Sequence, residues 1–484
     1  MTADIAFLDA TELAERLRSR TISSLDLLDL YLARIEEYDP PLGAVVTVDA
    51  DGARERAREA DRHLDAGEPG ELLGLPVTIK DAWEVAGLRT TAGAPILRDH
   101  VPEQSATAVA RLQAAGAIVF GKTNVPPFSG DVQTDNEIFG RTQNPWNLER
   151  TPGGSSGGAA VAVACGFTAF ELGSDIGGSI RTPANWTGVY GHKTSWGIVP
   201  GHGHIPGPPG TLSTADLGVF GPLARSARDL DRILSIVAGP DDLRGTAWKF
   251  SAPAARVTEL RDFRVAALFD DAYAPVDPEV QSKLEAVAQT LEKAGVPVER
   301  GAQPFDSLEE IVDLYSLMLA PIMVSGLPDA SIEALEALAA SDAPYDPRLR
   351  FARGAVQSHR TWLSRHERRV RLQHRMRAFF SDYDVFLCPG VPVPAIPHDD
   401  HPDFYGRRIA VGADDRPYSD LLSWIAPATL AGLPATSAPV GRTAGGLPVG
   451  VQIVGPPLED RTPIAFAAAL AEHLGGFEPP GRVG

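Results

Sequence analysis

At 484 residues the chain exceeds an ordinary single domain, so length predicts two or three domains or one large α/β unit. A formal charge of −19 at pH 7 argues against nonspecific binding to nucleic acid or an anionic membrane, because the long-range field repels phosphate. Two cysteines, Cys165 and Cys388, are too few and too far apart for a disulfide framework or a metal quartet, and they fit a reducing compartment as buried small hydrophobes.

The opening residues have no basic stretch leading into a long apolar core, so no secretion signal is expected and the expected location is cytoplasmic. The longest apolar stretch, from Ala159 to Phe170, is too short to span a bilayer. Leucines recurring every three or four residues predict two helices before Pro40-Pro41, the second capped by Ser23 or Ser24. A third runs from about Asp51 to Leu64 and breaks at Gly67-Glu-Pro-Gly. The period then changes. Short apolar runs at 75–80, 117–120, 167–172, 263–269, 384–388 and 449–454 read as strands, alternating with helical segments at 105–116, 159–166, 226–238, 278–295 and 306–380. That alternation predicts an α/β fold with a buried sheet covered by helices on both faces. Residues 241–382 are richer in charge and carry no glycine-rich site, which suggests an insertion or cover over the core. Within it, Arg365 to Arg377 reads as the solvated face of a helix. Pro200 to Gly210 is a rigid loop in which His202 and His204 are expected to be exposed.

Two glycine-rich strings match familiar motifs in letters only. Gly116 to Thr123 fits GxxxxGK[ST], a nucleotide-binding alternative built on Lys122, but its four middle residues form an apolar β-type run and Pro126-Pro127 follows where a helix is needed. Gly153 to Gly157 fits G-x-S-x-G, but a proline-broken loop precedes it instead of a strand. More telling are two serines in glycine settings, Ser155 after Gly153-Gly154 and Ser179 after Gly177-Gly178, together with Lys80 at the end of an apolar run. Glycine opens unusual φ/ψ and lets substrate approach bare main chain, so a serine there can sit where N–H groups converge on an oxyanion.

Lys80, the 153–158 run, Gly177-Gly178-Ser179-Ile180-Arg181-Thr182-Pro183, Gly432-Leu-Pro-Ala435 and Gly446 to Gln452 together resemble the amidase-signature family over nearly the whole chain. The resemblance implies one unit with a large twisted mixed sheet between helical layers. Its sections would be N-terminal helices (1–70), a signature core (about 71–240), a variable helical cover (about 241–382) and a C-terminal core part (about 383–484). It implies Ser179 as nucleophile, Ser155 as a bridging serine after a cis peptide at Gly154, and Lys80 as base, with the N–H groups of Ile176, Gly177, Gly178 and Ser179 as the oxyanion hole. Ser156, Ser174, Asp175 and Arg181 would support them. A serine hydroxyl needs a neighbour to take its proton, and a lysine can do so only when neutral, so Lys80 must be buried enough to lose its charge. No cofactor and no metal are implied. Asn185-Trp186 and His192 depart from the family's usual text near the site.

The expected reaction is hydrolysis of a small-molecule amide, anilide or carbamate with an apolar or aromatic part, by a monomer or homodimer. Trp186, Leu422, Trp424 and Ile425 are the expected pocket, and burying free glutamine among them without charged partners would be costly. The alternative inside the family is the glutaminase component of glutamyl-tRNA amidotransferase, its A-type chain, which supplies ammonia to partner subunits. A noncatalytic scaffold is the remaining alternative, opposed by the intact Lys80, Ser155 and Ser179.

Overall fold

In the computed structural model, which describes residues 5–483, the short apolar runs become two separate sheets. Strands β1 (Val45–Val48), β2 (Pro76–Lys80) and β3 (Ile118–Thr123) form the smaller one, with β3 central, β1 antiparallel to it and β2 parallel. A two-residue ribbon, β4 (Asp135–Asn136) and β5 (Gly140–Arg141), follows. The larger sheet begins with β6 (Glu171–Asp175), β7 (Tyr190–Lys193) and β8 (Val219–Ala224) and continues with β9 (Val265–Ala267), β10 (Val298–Arg300) and β11 (Val385–Pro389). After a second ribbon, β12 (Arg408–Val411) and β13 (Asp414–Pro417), it is completed by β14 (Ala435–Arg442) and β15 (Pro448–Val454). Its order is β10-β9-β11-β15-β14-β7-β8-β6, so β6, its first strand in sequence, lies at one edge while β15, its last, lies in the middle. Only β9, β10 and β11 pair in parallel, and the remaining pairs are antiparallel.

One continuous apolar core includes Leu13 and Leu28 of the first helices, Val77, Phe120, Leu230, Val287, Leu387, Ile453 and Phe466. The N-terminal helices and the 241–382 section therefore pack on the same core as the strands. No helix among the described residues is long and apolar enough to cross a membrane.

Several expectations need correcting. The apolar run 167–172 is not a strand over its length: β6 starts only at Glu171 and continues to Asp175, while Phe167 and Phe170 are core side chains in the turn before it. The stretch 306–380 is four helices, Leu308–Val324, Asp329–Ala339, Pro347–Ala355 and His359–Asp382, because Pro328 caps the second and Pro347 opens the third. Gly121, Lys122 and Thr123 lie inside β3 and are buried, so the string that spells a phosphate loop offers no loop of free N–H groups. Lys122 Nζ instead donates to Trp83 O and, at 3.0 Å, to Thr90 Oγ1. His202 is exposed as expected, but His204 is not: its ring packs edge-on against Trp83 with centroids 4.7 Å apart.

Candidate active site

Lys80 ends a strand whose five residues are all buried, so its amine is delivered into the interior at the end of β2. Nζ lies 2.7 Å from Ser155 Oγ, 2.9 Å from Ser156 Oγ and 2.9 Å from Ser174 Oγ. Burial brings its pKa down to about 7, against the opposing pull of the Asp175 and Glu171 carboxyl groups. Hydroxyls both donate and accept, so this shell can hold the amine charged or neutral. Ser156 and Ser174, expected as supports at one remove, touch the lysine directly.

Ser155 enters the site from a tight loop. The Gly154–Ser155 peptide is cis. A Cβ on Gly154 would lie 2.6 Å from Gln133 O and 2.8 Å from Asp131 O, so only glycine lets the backbone run this close. The helix Gly157–Ala164 starts two residues on and is buried throughout, which anchors the loop from behind.

The second serine sits where β6 turns into the helix Arg181–Thr187. Asp175, the last residue of β6, organises the turn: Oδ1 accepts the N–H of Gly178 at 3.0 Å and Oδ2 that of Ile180 at 3.1 Å. Gly178 has φ +86°, a conformation that Cβ-bearing residues adopt at a cost. Its N–H is therefore spent on Asp175, a correction to the four-donor oxyanion hole. The N–H groups of Ile176, Gly177 and Ser179 have no protein acceptor among the described residues and stay available. Ser179 carbonyl accepts the Ser156 N–H at 3.2 Å, pinning the two serine loops together.

Arg181 fastens this turn to the far end of the chain. Nε and Nη2 bracket Asp175 at 3.0 and 2.7 Å, while its other contacts reach Ile425 O at 3.0 Å, Gln452 Oε1 at 2.7 Å and Thr429 Oγ1 at 2.7 Å. Burial pushes the Asp175 carboxyl up, but Arg181 outweighs it and holds the group at about 2.

The sequence pattern that defines the Amidase family matches residues 26–463. The chain belongs to the amidase family. It is 33% identical over 477 residues to the A-type chain of the glutamyl-tRNA(Gln) amidotransferase of Roseiflexus sp. (strain RS-1), covering 94% of each chain. The structure is similar to that of a bacterial aryl acylamidase, with a TM-score of 0.79, 26% identity and 96% of each chain covered. It is also similar to the corresponding A-type amidotransferase chain of Thermotoga maritima, with a TM-score of 0.76, 27% identity and 98% of each chain covered. The family acts on C–N bonds, and the eight-stranded mixed sheet between helices is its fold.

Within this amidase the expected substrate pocket is only partly where the sequence put it. Trp186, Trp424 and Ile425 are core residues, and both indole N–H groups are satisfied internally, by Val393 O at 2.9 Å and Ala274 O at 3.0 Å. Leu422 alone reaches a cavity, of about 30 Å³, room on the scale of a water molecule or two. Leu422 also stands beside the Ser179 turn, since a Cβ on Gly177 would lie 3.5 Å from its Cδ2. The cavity walls bring in residues that local motifs do not reveal: Arg350, Tyr273 and Asp420, with Val312, Leu319 and Phe351. Arg350 Nε is buried without a hydrogen-bond partner, and Nη1 donates to Tyr273 Oη at 3.3 Å. Asp420 accepts from Arg416 at 2.8 Å. Nearby Tyr315 donates to Ile176 O at 2.8 Å and holds the start of the Ser179 turn.

Proposed function

We propose that this amidase cleaves carboxamides through an acyl-enzyme, with Ser179 as nucleophile, Ser155 as relay and Lys80 as base. The observation that carries the reading is the buried Lys80 amine, 2.7 Å from Ser155 Oγ, with its pKa brought down to about 7 so that the neutral form is well populated at pH 7. Ser179 Oγ attacks the carbonyl carbon, its proton passes to Ser155, and the Ser155 proton passes to Lys80. The N–H groups of Ile176, Gly177 and Ser179 meet the oxyanion. Lys80 then returns the proton through Ser155 to the departing nitrogen, the C–N bond breaks, and water clears the acyl group by the same relay. The link from Ser179 Oγ to Ser155 is the one without a hydrogen bond among the described residues. Such catalytic contacts are often long in a free enzyme and tighten with substrate.

For the substrate, Arg350 and Asp420 place opposite charges in the cavity wall, each also facing an internal counterion, Asp313 at 3.7 Å and Arg416 at 2.8 Å, and they favour an acyl part bearing a carboxylate and an ammonium, such as free glutamine. The amidotransferase relatives support the same reading, under which the ammonia released would pass to a partner protein. The apolar reading retains the Val312, Leu319, Phe351 and Leu422 walls and the likeness to the aryl acylamidase. Kinetics on glutamine, an acetanilide and a phenyl carbamate, repeated with Arg350→Met, separate the two. Glutamine should have the highest kcat/KM and lose roughly 10- to 100-fold in the variant, the worth of a charge-assisted hydrogen bond. An anilide that is both preferred and indifferent to Arg350→Met would move the assignment to apolar amides.

A further inference from the structure

Glu171 is a fully buried carboxylic acid that the relay above does not use. It opens β6, the strand that ends in Ser174 and Asp175, yet its side-chain partners lie on the other sheet. Oε1 accepts the hydroxyl of Thr78 at 2.7 Å and that of Thr123 at 3.0 Å, while Oε2 accepts the Leu172 N–H at 3.2 Å. Thr78 is two residues before Lys80 on β2, so both side chains lie on the same face of that strand. Thr123 is the residue of β3 paired in register with Lys80. The carboxyl group thus grips both strands, the one that carries the base and its neighbour, and joins them to the strand that carries the nucleophile turn.

We infer that Glu171 is a positioning residue for Lys80: it locks the base's strand to the nucleophile's strand, and its charge sets how readily the amine gives up its proton. The inference rests on the reading of Lys80 as the base. Glu171 is faced by Lys80 from β2 and by Lys122 from β3, and Lys80 is faced by Glu171 and Asp175 from β6 and by the His204 ring from the 200–210 loop. Burial raises the Glu171 carboxyl to about 7, against the threonine and main-chain donors, so it titrates in the same range as the amine beside it. An ionised Glu171 stabilises the ammonium. Removing that charge should let Lys80 become neutral at lower pH.

The test is the rate at which an aryl phosphonofluoridate labels Ser179, followed from pH 6 to 9, with the labelled residue identified by mass spectrometry. This readout needs no knowledge of the substrate. In the native chain the rate should rise with pH along an acid limb. Glu171→Gln should move that limb down by roughly one pH unit, the effect of losing one nearby carboxylate, while slowing labelling at its plateau. Glu171→Asp keeps the charge but shortens the reach, so it should keep the limb and lower only the plateau. If Glu171→Gln does not fold, Thr123→Val carries the test, with a smaller downward movement and a slower plateau expected. A limb and plateau unchanged in a folded Glu171→Gln or Thr123→Val variant overturn the role of Glu171, provided the native chain labels at Ser179. A native chain that fails to label there, or labels at Ser155, overturns the catalytic reading itself.

Discussion

Replacing Arg181 with methionine keeps most of the side-chain volume and removes a charge that five internal contacts depend on. Asp175 is then left as a buried carboxylate without its cation, and Gln452, Thr429 and Ile425 lose a donor. Breaking one side of such a pair costs about 3–5 kcal/mol. The cost should depend on pH in a sense fixed by Asp175. In the native protein its pKa of about 2 lies below the unfolded value of about 3.9, so the pair contributes stability above pH 4 that is lost as pH falls through 2. In Arg181→Met burial dominates and the folded pKa rises above the unfolded one, so raising the pH ionises a group that the fold disfavours. Lys193, the next cation facing Asp175 and itself brought down to about 7 by burial and Arg181, would act in the same sense, because it loses its charge as pH rises. Urea unfolding of both proteins, followed by two optical probes to check two-state behaviour, measures the difference at pH 6 and pH 8. The deficit should be about 3–5 kcal/mol at pH 8 and smaller by about 1 kcal/mol at pH 6, the scale of a partial protonation. A deficit below about 1 kcal/mol at pH 8, or one equal at both values, would refute the reasoning.

Ser179→Ala should abolish turnover and covalent labelling, whereas persistent labelling at Ser155 would reverse the two serines' roles. Lys80→Ala should lose far more activity on amides than on activated esters, whose leaving groups need little protonation, and equal losses would make Lys80 structural. The native kcat/KM profile should climb from pH 6 towards mildly alkaline values, since under the proposed relay the neutral amine is the working form and its pKa is about 7; a maximum below pH 6 would point to a carboxylate base. Chelators and the omission of ATP should leave hydrolysis unchanged, and activity lost to a chelator and restored by one metal would contradict a reaction run by side chains alone.

The site was legible in the sequence where the chain itself does the work. Lys80, Ser155 and Ser179 lie in glycine-rich or strand-end settings whose local conformation is dictated by a few adjacent residues; Lys80 meets Ser155 directly, while the Ser179 loop is tied to the Ser155 loop through the Ser156 N–H and the Ser179 carbonyl. Gly178 shows the limit even there: that a glycine supplies an N–H can be read from its setting, but that Asp175 consumes it depends on a side chain three residues back folding over the turn. The pocket was misread for a different reason. Trp424 and Ile425 are adjacent to the right segment, but apolar residues are equally at home in a core, and only packing decides which face they take. Arg350 was overlooked because the charge-rich 241–382 section reads as a cover without a site, and nothing local signals that the helix Pro347–Ala355 turns one guanidinium inward. The strand order was similarly out of reach, since β6 (Glu171–Asp175) and β15 (Pro448–Val454), far apart in the chain, belong to one sheet.

Arg181 reaches its partners Ile425, Thr429 and Gln452 across 244, 248 and 271 residues of chain. During synthesis the Ser179 turn therefore emerges from the ribosome long before the segments that brace it exist. A nascent or prematurely terminated polypeptide carries Ser179 but not its bracing, and closing so long a loop is an entropic cost that the contacts themselves must offset. Hydrolytic competence should thus arrive only as the last strands dock, and proteolytic fragments that lack residues beyond about 425 should be inert towards serine-directed reagents even when they retain every reacting side chain.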